Sequence, residues 1–256
     1  MSDTDRHRQI LEWARAAGSV EVDDLARRLS VTPQTIRKDL NELARRAMLS
    51  RVHGGAVVTS GVDNIDYAAR RTVATGAKAA IGAAAAALVP NGASLFVNIG
   101  TTTEAVAAHL VAHRDLMVIS NNLNVVDQLD GRPGVEVVVV GGQVRRGDRA
   151  VVGALAMQFI ATFKVDLAII GASAIDPQDG SLLDFSVDEV QVTQTIVKNA
   201  RRVILVADAS KVGRAAPVRI GRLDMVDWLV TDRLLDPGLR RLCEEQGVTL
   251  VETGAA

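Results

Sequence analysis

Seven short apolar runs constrain this chain more than any other feature of it: SLFVNI, LMVISN, VEVVVVGG, DLAIIG, RVILVAD, DWLVTD and VTLVE. Each is nearly continuous in Val, Ile, Leu and Ala instead of alternating apolar with polar. A strand of that kind has both faces buried, and a parallel sheet covered by helices is the arrangement that buries both. Helical patterns at about 73 to 88, 103 to 112, 153 to 162, 187 to 199 and 236 to 246 supply the cover. From about residue 73 to 256 the chain therefore reads as an α/β domain with a mostly parallel sheet. Aromatic residues make up only 3% of the chain, so its core is expected to be aliphatic. The single cysteine, Cys243, excludes an internal disulfide framework, suits a reducing cytoplasm, and is expected to be a buried structural thiol. No segment reads as a signal peptide or a membrane span, so a cytoplasmic protein with no membrane partner is expected.

The first 57 residues follow a different grammar. Two helical patterns, Ile10, Leu11, Ala14, Ala17 and then Val22, Leu25, Ala26, Leu29, precede a third with a well-marked start. There Thr32 is a good N-cap, Pro33 suits the first helical position, and Val31 and Ile36 are spaced as a hydrophobic staple. Ile36, Leu40, Leu43 and Ala47 form its apolar stripe, leaving Gln34, Thr35, Arg37, Lys38 and Asn41 on the other face. The turn of Ser30 to Thr32 has the length of a helix-turn-helix connection. After Ala47, MLSRVHGGAVV reads as a short β-hairpin carrying Arg51 and His53.

Net charge is only −1, yet it is unevenly spread. Residues 1 to 56 hold ten Lys/Arg against eight Asp/Glu, and residues 31 to 56 hold five against two, so the positive excess sits on the third helix and hairpin. Three helices and a basic wing are the parts of a DNA reader. Thr32, Gln34, Thr35, Arg37 and Lys38 would meet bases and phosphates in the major groove while Arg51 and His53 approach the backbone. The expected boundaries are 1 to 57 for a winged helix-turn-helix, 58 to 72 for a linker, and 73 to 256 for the α/β domain.

In the larger domain the strands end in small or polar residues: Gly100, Thr101, Thr102 and Thr103; Asn121 and Asn122; Gly141 and Gly142; Gly171; Asp208, Ser210 and Lys211. The carboxyl ends of parallel strands lie along one edge, where ligands bind if the strand order reverses. Gly100 to Thr103, at a helix N-terminus, offers N–H groups and hydroxyls to an anion, with Lys211 as its counter-charge. A plainer alternative is that Thr101 and Glu104 form a capping box with no ligand at all. His109 and His113 stand four apart but lack an H-E-x-x-H motif, so neither metal nor other cofactor is expected. Asp184, Asp188, Glu189 and Asp208 are the carboxylates available if the domain were an enzyme.

SVTPQTIRKDLNELARRAMLSRVHGGA, FVNIGTTTEAVA, SNNLNV, VVGGQVR, DGSLLDF and VADASKVGR together resemble the DeoR family of bacterial transcriptional regulators over nearly the whole chain. SNNLNV, and GSLLDF followed by DEV, are most similar to the family's glycerol-3-phosphate branch. The resemblance implies a sensor domain related to ribose-5-phosphate isomerases and CoA transferases, and a phosphorylated sugar or polyol effector, glycerol 3-phosphate first. It further implies operator DNA as a partner, a homodimer or homotetramer, and effector contacts from Gly100 to Thr103, Asn121, Asn122, Gly141, Gly142, Asp208 and Lys211. Asn98 departs from the pattern, because many members carry an acid there.

Two other classes remain open at this level. A sugar-phosphate isomerase-like enzyme can share the α/β fold, but has no use for a basic three-helix module. A Rossmann-like nucleotide binder would need a G-x-G-x-x-G at its first strand-to-helix turn, which the chain lacks.

Overall fold

The computed structural model describes residues 3–17, 19–45, 49–52, 55–57 and 67–254. The chain divides into two compact units, residues 1 to 65 and 66 to 256.

In the first unit α1 (Asp3–Ala17), α2 (Val22–Leu29) and α3 (Pro33–Arg45) are joined by a three-stranded sheet of β1 (Ser19–Glu21), β2 (Ser50–Val52) and β3 (Gly55–Val57), ordered β1-β3-β2 and antiparallel throughout. α2 ends on Ser30 in the left-handed region (φ 52°). α3 then starts as its sequence dictates, with Thr32 Oγ1 accepting from the Thr35 amide at 3.2 Å. Ile10, Ala14, Leu25, Leu29, Ile36, Leu40 and Leu43 meet in one core, with Val31 packed against it. A charged pin joins α1 to α3. Arg6 Nε and Nη2 donate to the two carboxylate oxygens of Asp39 at 2.5 and 2.9 Å, and His7 Nε2 lies 3.1 Å from Oδ1.

The second unit opens with α4 (Tyr67–Thr72) and α5 (Thr75–Ala86). Of the expected linker, 58 to 72, residues 58 to 66 lie outside the described residues and the last six form a helix, whose Tyr67 hydroxyl donates to Glu104 of this unit. There follow β4 (Ser94–Val97), α6 (Thr101–Leu110), β5 (Leu116–Ser120), α7 (Leu123–Leu129) and β6 (Val135–Val139). A hairpin of β7 (Gln143–Arg145) and β8 (Ala150–Val152) leads to α8 (Ala154–Ile160) and β9 (Val165–Ile170). β10 (Ala174–Ile175), β11 (Ser181–Asp184), α9 (Val187–Lys198), β12 (Ala200–Val206), β13 (Val218–Arg222), β14 (Trp228–Thr231), α10 (Pro237–Glu245) and β15 (Thr249–Glu252) complete the chain.

All seven apolar runs become strands of one parallel sheet, ordered β15-β14-β12-β9-β4-β5-β6. Its two faces explain their composition. Leu95, Val97, Val118, Leu167, Ile169, Ile204 and Val206 point into one core with Ile81 of α5, Val106 and Leu110 of α6, and Val125 of α7. The residues between them, Phe96, Ile119, Ala168, Ile170, Val203 and Leu205, point into the other with Ile160 of α8, Val190 and Ile196 of α9, and Leu239 and Cys243 of α10. Cys243 is buried, as a structural thiol should be. Where α5 crosses α6, a Cβ on Gly82 would stand 2.5 Å from the Ala105 carbonyl oxygen, so only glycine lets these helices approach so closely. β10, β11 and β13 form a separate antiparallel sheet.

The connectivity positions the site. From β4 the chain runs outward through β5 to β6, then returns to place β9 on the opposite side of β4 and continues through β12 to β14 and β15. The order reverses between β4 and β9, so the carboxyl ends of these two strands flank the crevice where a parallel sheet receives a ligand.

Candidate functional site

At that reversal a cleft is lined by Tyr67 and Arg70 of α4, Asn98 to Thr103 after β4, Gly171 to Ser173 after β9, and Lys211 after β12, with Asp148, Asp184, Glu189 and Thr193 around its rim and floor. Gly100 is the N-cap of α6 with φ 142°, a conformation strained for any residue with a Cβ. The first turn of α6 is tied down by Thr103, whose Oγ1 lies 2.7 Å from both the Asn98 and the Gly100 carbonyl oxygens.

The capping-box alternative is not what forms. Gly100, not Thr101, caps α6, and Glu104 turns sideways to accept from Tyr67 Oη at 2.8 Å, Asn122 Nδ2 at 3.0 Å and Asn124 Nδ2 at 3.1 Å. Burial first, and then this carboxylate, push the Tyr67 phenol well above its usual value, so it stays a donor. The amides at the mouth of the cleft, from Gly100 and Thr101 onward, are left without a side-chain cap.

Lys211 sits on a 3₁₀ turn, Ala209–Lys211, which Asp208 caps by accepting from the Ser210 amide at 3.0 Å. Desolvation chiefly, opposed by Asp208 but reinforced by Arg214, Arg70 and Lys78, lowers the Lys211 ammonium to about 8. Lys78 is itself buried, its charge disfavoured by that burial, and it donates to the Arg70 carbonyl oxygen at the end of α4. Arg214 stacks 5.0 Å over the Phe185 ring and reaches the Ser173 carbonyl oxygen at 3.5 Å. Arg70 Nε and Arg214 Nη2 are buried with no hydrogen-bond partner among the described residues. Asp184 is pushed up by burial, although the Phe185 amide and Ser173 hydroxyl hold part of its charge. Arg145 neutralises the remaining acids of the rim, Asp148 and Glu189, in one ion network. Among the described residues, cationic N–H donors and, at Asn98, one amide oxygen lack a partner here.

The structure gathers some of the sequence-selected residues and disperses others. Gly100, Thr101, Thr102, Thr103, Gly171 and Lys211 share the cleft. Asp208 supports it from beneath through the cap on the Lys211 turn. Asn121 and Asn122 do not line it. Asn122 caps α7, accepting from the Asn124 amide at 2.9 Å, and Asn121 donates to the Val151 carbonyl at 3.2 Å. Gly141 and Gly142 follow β6, the edge strand, roughly 10 Å from β4 at the usual strand spacing. Gly142 has φ 152°, and a Cβ there would press on Val151 at 3.0 Å, so it serves the entry to the hairpin. His109 is exposed, whereas His113 lies partly buried beyond the end of α6 with Nε2 3.0 Å from the Val89 carbonyl oxygen. Sequence reading missed Tyr67, Arg70, Asp148, Ser173 and Thr193. The available signal was YAARR itself, the chain's single tyrosine with two arginines inside a presumed linker.

In the first unit Gln34, Arg37 and Lys38 are exposed on α3, Thr32 is exposed at its cap and Thr35 is half-buried. Arg51 lies in β2, its backbone opposite Ala56. His53 falls outside the described residues.

A winged three-helix unit and a parallel-sheet unit with a ligand cleft at its reversal define the class of a DNA-binding regulator with a sensor domain. The DeoR-like helix-turn-helix domain matches residues 6–62 and the DeoR C terminal sensor domain matches residues 73–233. The chain belongs to the DeoR family. It is 42% identical over 232 residues to the glycerol-3-phosphate regulon repressor of Escherichia coli, covering 91% of this chain and 92% of that protein. To the repressor of the same name from Haemophilus influenzae it is 41% identical over 251 residues, 98% of this chain and 97% of the relative. Among solved structures, ribose 5-phosphate isomerase A from Methanocaldococcus jannaschii is similar with TM-score 0.40 and 15% identity over 54% of each chain.

Proposed function

We propose that the protein is a cytoplasmic transcriptional repressor that binds operator DNA through α3 and the wing and releases it when a phosphorylated sugar or polyol, glycerol 3-phosphate first, enters the cleft. The observation that carries the ligand class is the meeting, at the strand-order reversal, of uncapped α6 amides, Lys211 and Arg70, whose Nε has no hydrogen-bond partner among the described residues, with Arg214 close behind at the Ser173 carbonyl. A buried N–H of a charged group without an acceptor costs about 1–3 kcal/mol or more, and a phosphate ester supplies several acceptors and the balancing charge at once. The two relatives, named as glycerol-3-phosphate regulon repressors, favour the three-carbon ester. On DNA, Gln34, Thr35, Arg37 and Lys38 read the major groove from a capped helix held by Thr32, with Arg51 and His53 at the backbone. One reading helix per chain calls for a two-fold assembly, a homodimer or homotetramer. The protein carries out no catalysis in this reading.

The test selects bound fragments from a random DNA pool and titrates the complex with glycerol 3-phosphate. Release with a 5- to 150-fold loss of DNA affinity is expected, the usual range for coupled sites. Arg37→Ala should weaken the selected DNA by about 1–3 kcal/mol and leave ligand binding intact. Failure to enrich any sequence rejects the DNA reading. Indifference to glycerol 3-phosphate and to every other sugar phosphate tried rejects the effector class, and turnover of a sugar phosphate would favour the isomerase-like enzyme instead.

A further inference from the structure

Asn98 is 2% exposed, follows β4 directly, and lines the cleft two residues before the Gly100 turn. Its backbone is fully used: the amide donates to the Ile169 carbonyl at 3.0 Å and its carbonyl accepts from Thr103 Oγ1 at 2.7 Å. The side chain is half used. Nδ2 donates to Thr193 Oγ1 at 2.8 Å, while Oδ1 has no hydrogen-bond partner among the described residues.

The direction of the first bond is fixed by the second. Thr193 Oγ1 gives its own proton to the Glu189 carbonyl oxygen at 2.9 Å, so toward Asn98 it can only accept. The amide therefore presents its NH₂ to Thr193 and cannot turn over without placing two acceptors face to face. Oδ1 is left as a buried neutral acceptor, which costs free energy until a donor meets it. A phosphate dianion has no proton to give. The hydroxyls of a polyol chain do.

On the reading of the cleft as a phosphate-ester site, we propose that Asn98 is its specificity-determining residue, accepting a hydrogen bond through Oδ1 from a hydroxyl on the ligand's carbon chain. Phosphate recognition by Lys211 and the α6 turn then gives affinity for the ester. Asn98 selects a hydroxylated ester over a plain alkyl one, because the alkyl ester would leave Oδ1 buried and unpaired. A neutral amide fills this role without adding a negative charge beside the phosphate, as a carboxylate would.

Calorimetry on the full chain with glycerol 3-phosphate, propyl phosphate and inorganic phosphate tests this. The parent should prefer glycerol 3-phosphate to propyl phosphate by about tenfold or more, the equivalent of one hydrogen bond of about 1.4 kcal/mol. That comparison needs no variant to fold. Asn98→Leu should abolish the preference while leaving inorganic phosphate within about threefold. Asn98→Asp, which retains an acceptor, should keep the preference and weaken all three anions. Equal binding of the two esters by the parent overturns the role of Asn98 and leaves the phosphate site standing, as does a preference that survives in Asn98→Leu. If the parent binds none of the three anions, the phosphate reading fails and the Asn98 proposal with it.

Discussion

At the scale of single residues, the cleft is a place where ordinary charges have been made uncomfortable. Lys211 would hold its proton firmly in water. Here burial and the nearby guanidinium and ammonium groups bring it to about 8, so a good share of molecules carry a neutral amine at pH 8. A phosphate dianion reverses the sign of its surroundings and raises that pKa again. Ligand binding at pH 8 is therefore expected to take up a substantial fraction of a proton, which calorimetry in buffers of different ionisation enthalpy would register. Affinity should fall as pH climbs through 8, because the proton must then be recruited from solution. Linkage gives the ligand-free fold the opposite slope: between about 8 and the ordinary lysine value the unfolded chain binds the extra proton, so stability contributed by this group rises with pH. An uptake indistinguishable from zero would remove Lys211 from the phosphate contact. Residues of this kind were only partly legible in the sequence. Gly100 to Thr103 and Lys211 could be found because they follow apolar runs, and chain position at a strand end is what brings them together. Asn121, Asn122, Gly141 and Gly142 follow such runs too, but strand order, which no local pattern encodes, puts β5 and β6 on the far side of β4 and turns those residues to caps and turns. Arg70 and Tyr67 were invisible for the converse reason, since they approach the cleft from a helix outside the sheet.

At the scale of elements, periodicity and capping carried most of the information. Every strand of the parallel sheet is a run continuous in aliphatic residues, and α3 begins where Thr32 and Pro33 say it should, because both signals arise from local physics. α7 was hidden: LNVVDQL is short, and its Asn122 cap reads equally well as a binding residue. The joint between α1 and α3 was hidden as well, since Arg6 and Asp39 are far apart in the chain and each would pass for a solvated charge. In the fold both are nearly buried, and although burial opposes the charge, hydrogen bonds from Arg6 and His7 hold the Asp39 carboxyl below the usual range. That joint should matter more to the reading helix than any surface pair. Asp39→Ala is expected to destabilise the first unit by about 3 kcal/mol, because it removes the buried carboxylate that accepts two hydrogen bonds from Arg6 and faces His7. The native pair's contribution is present at neutral pH, starts to fade as pH falls through the ordinary carboxylate value near 4, and is lost below the depressed one. Urea melts of the parent and Asp39→Ala at pH 7 and pH 3 provide the measurement: the gap between them should shrink at the lower pH, and an equal gap at both would show that the carboxylate charge is not what joins the helices.

At the scale of the whole molecule, two sites on two units have to influence one another, and thermodynamics limits how. If glycerol 3-phosphate weakens DNA binding by some factor, DNA weakens glycerol 3-phosphate binding by the same factor. In the second unit α4 starts at Tyr67 and brings Arg70 to the cleft. Lys78, fixed on α5, grips the carbonyl at Arg70, so α4 and the cleft are mechanically one piece. A variant that damages ligand binding alone separates the two functions. If Lys211 holds the phosphate as proposed, Lys211→Ala would remove one charge-assisted contact, so the ligand should bind more weakly by about 1.5–3 kcal/mol, or roughly 10- to 150-fold. Affinity for selected operator DNA without ligand should be unchanged. Because a ligand shifts an equilibrium only by its differential affinity for the two states, the variant should remain on its operator at glycerol 3-phosphate concentrations that free the parent. In a reporter strain this is a repressor that no longer responds to induction, the opposite of the constitutive expression expected from Arg37→Ala. Fluorescence anisotropy of labelled operator, titrated with glycerol 3-phosphate in both proteins, checks it directly. If parent and Lys211→Ala release DNA at the same ligand concentration, the phosphate does not sit on Lys211. If the variant loses DNA affinity in the absence of ligand, Lys211 belongs to the coupling between the units and not to the ligand contact alone.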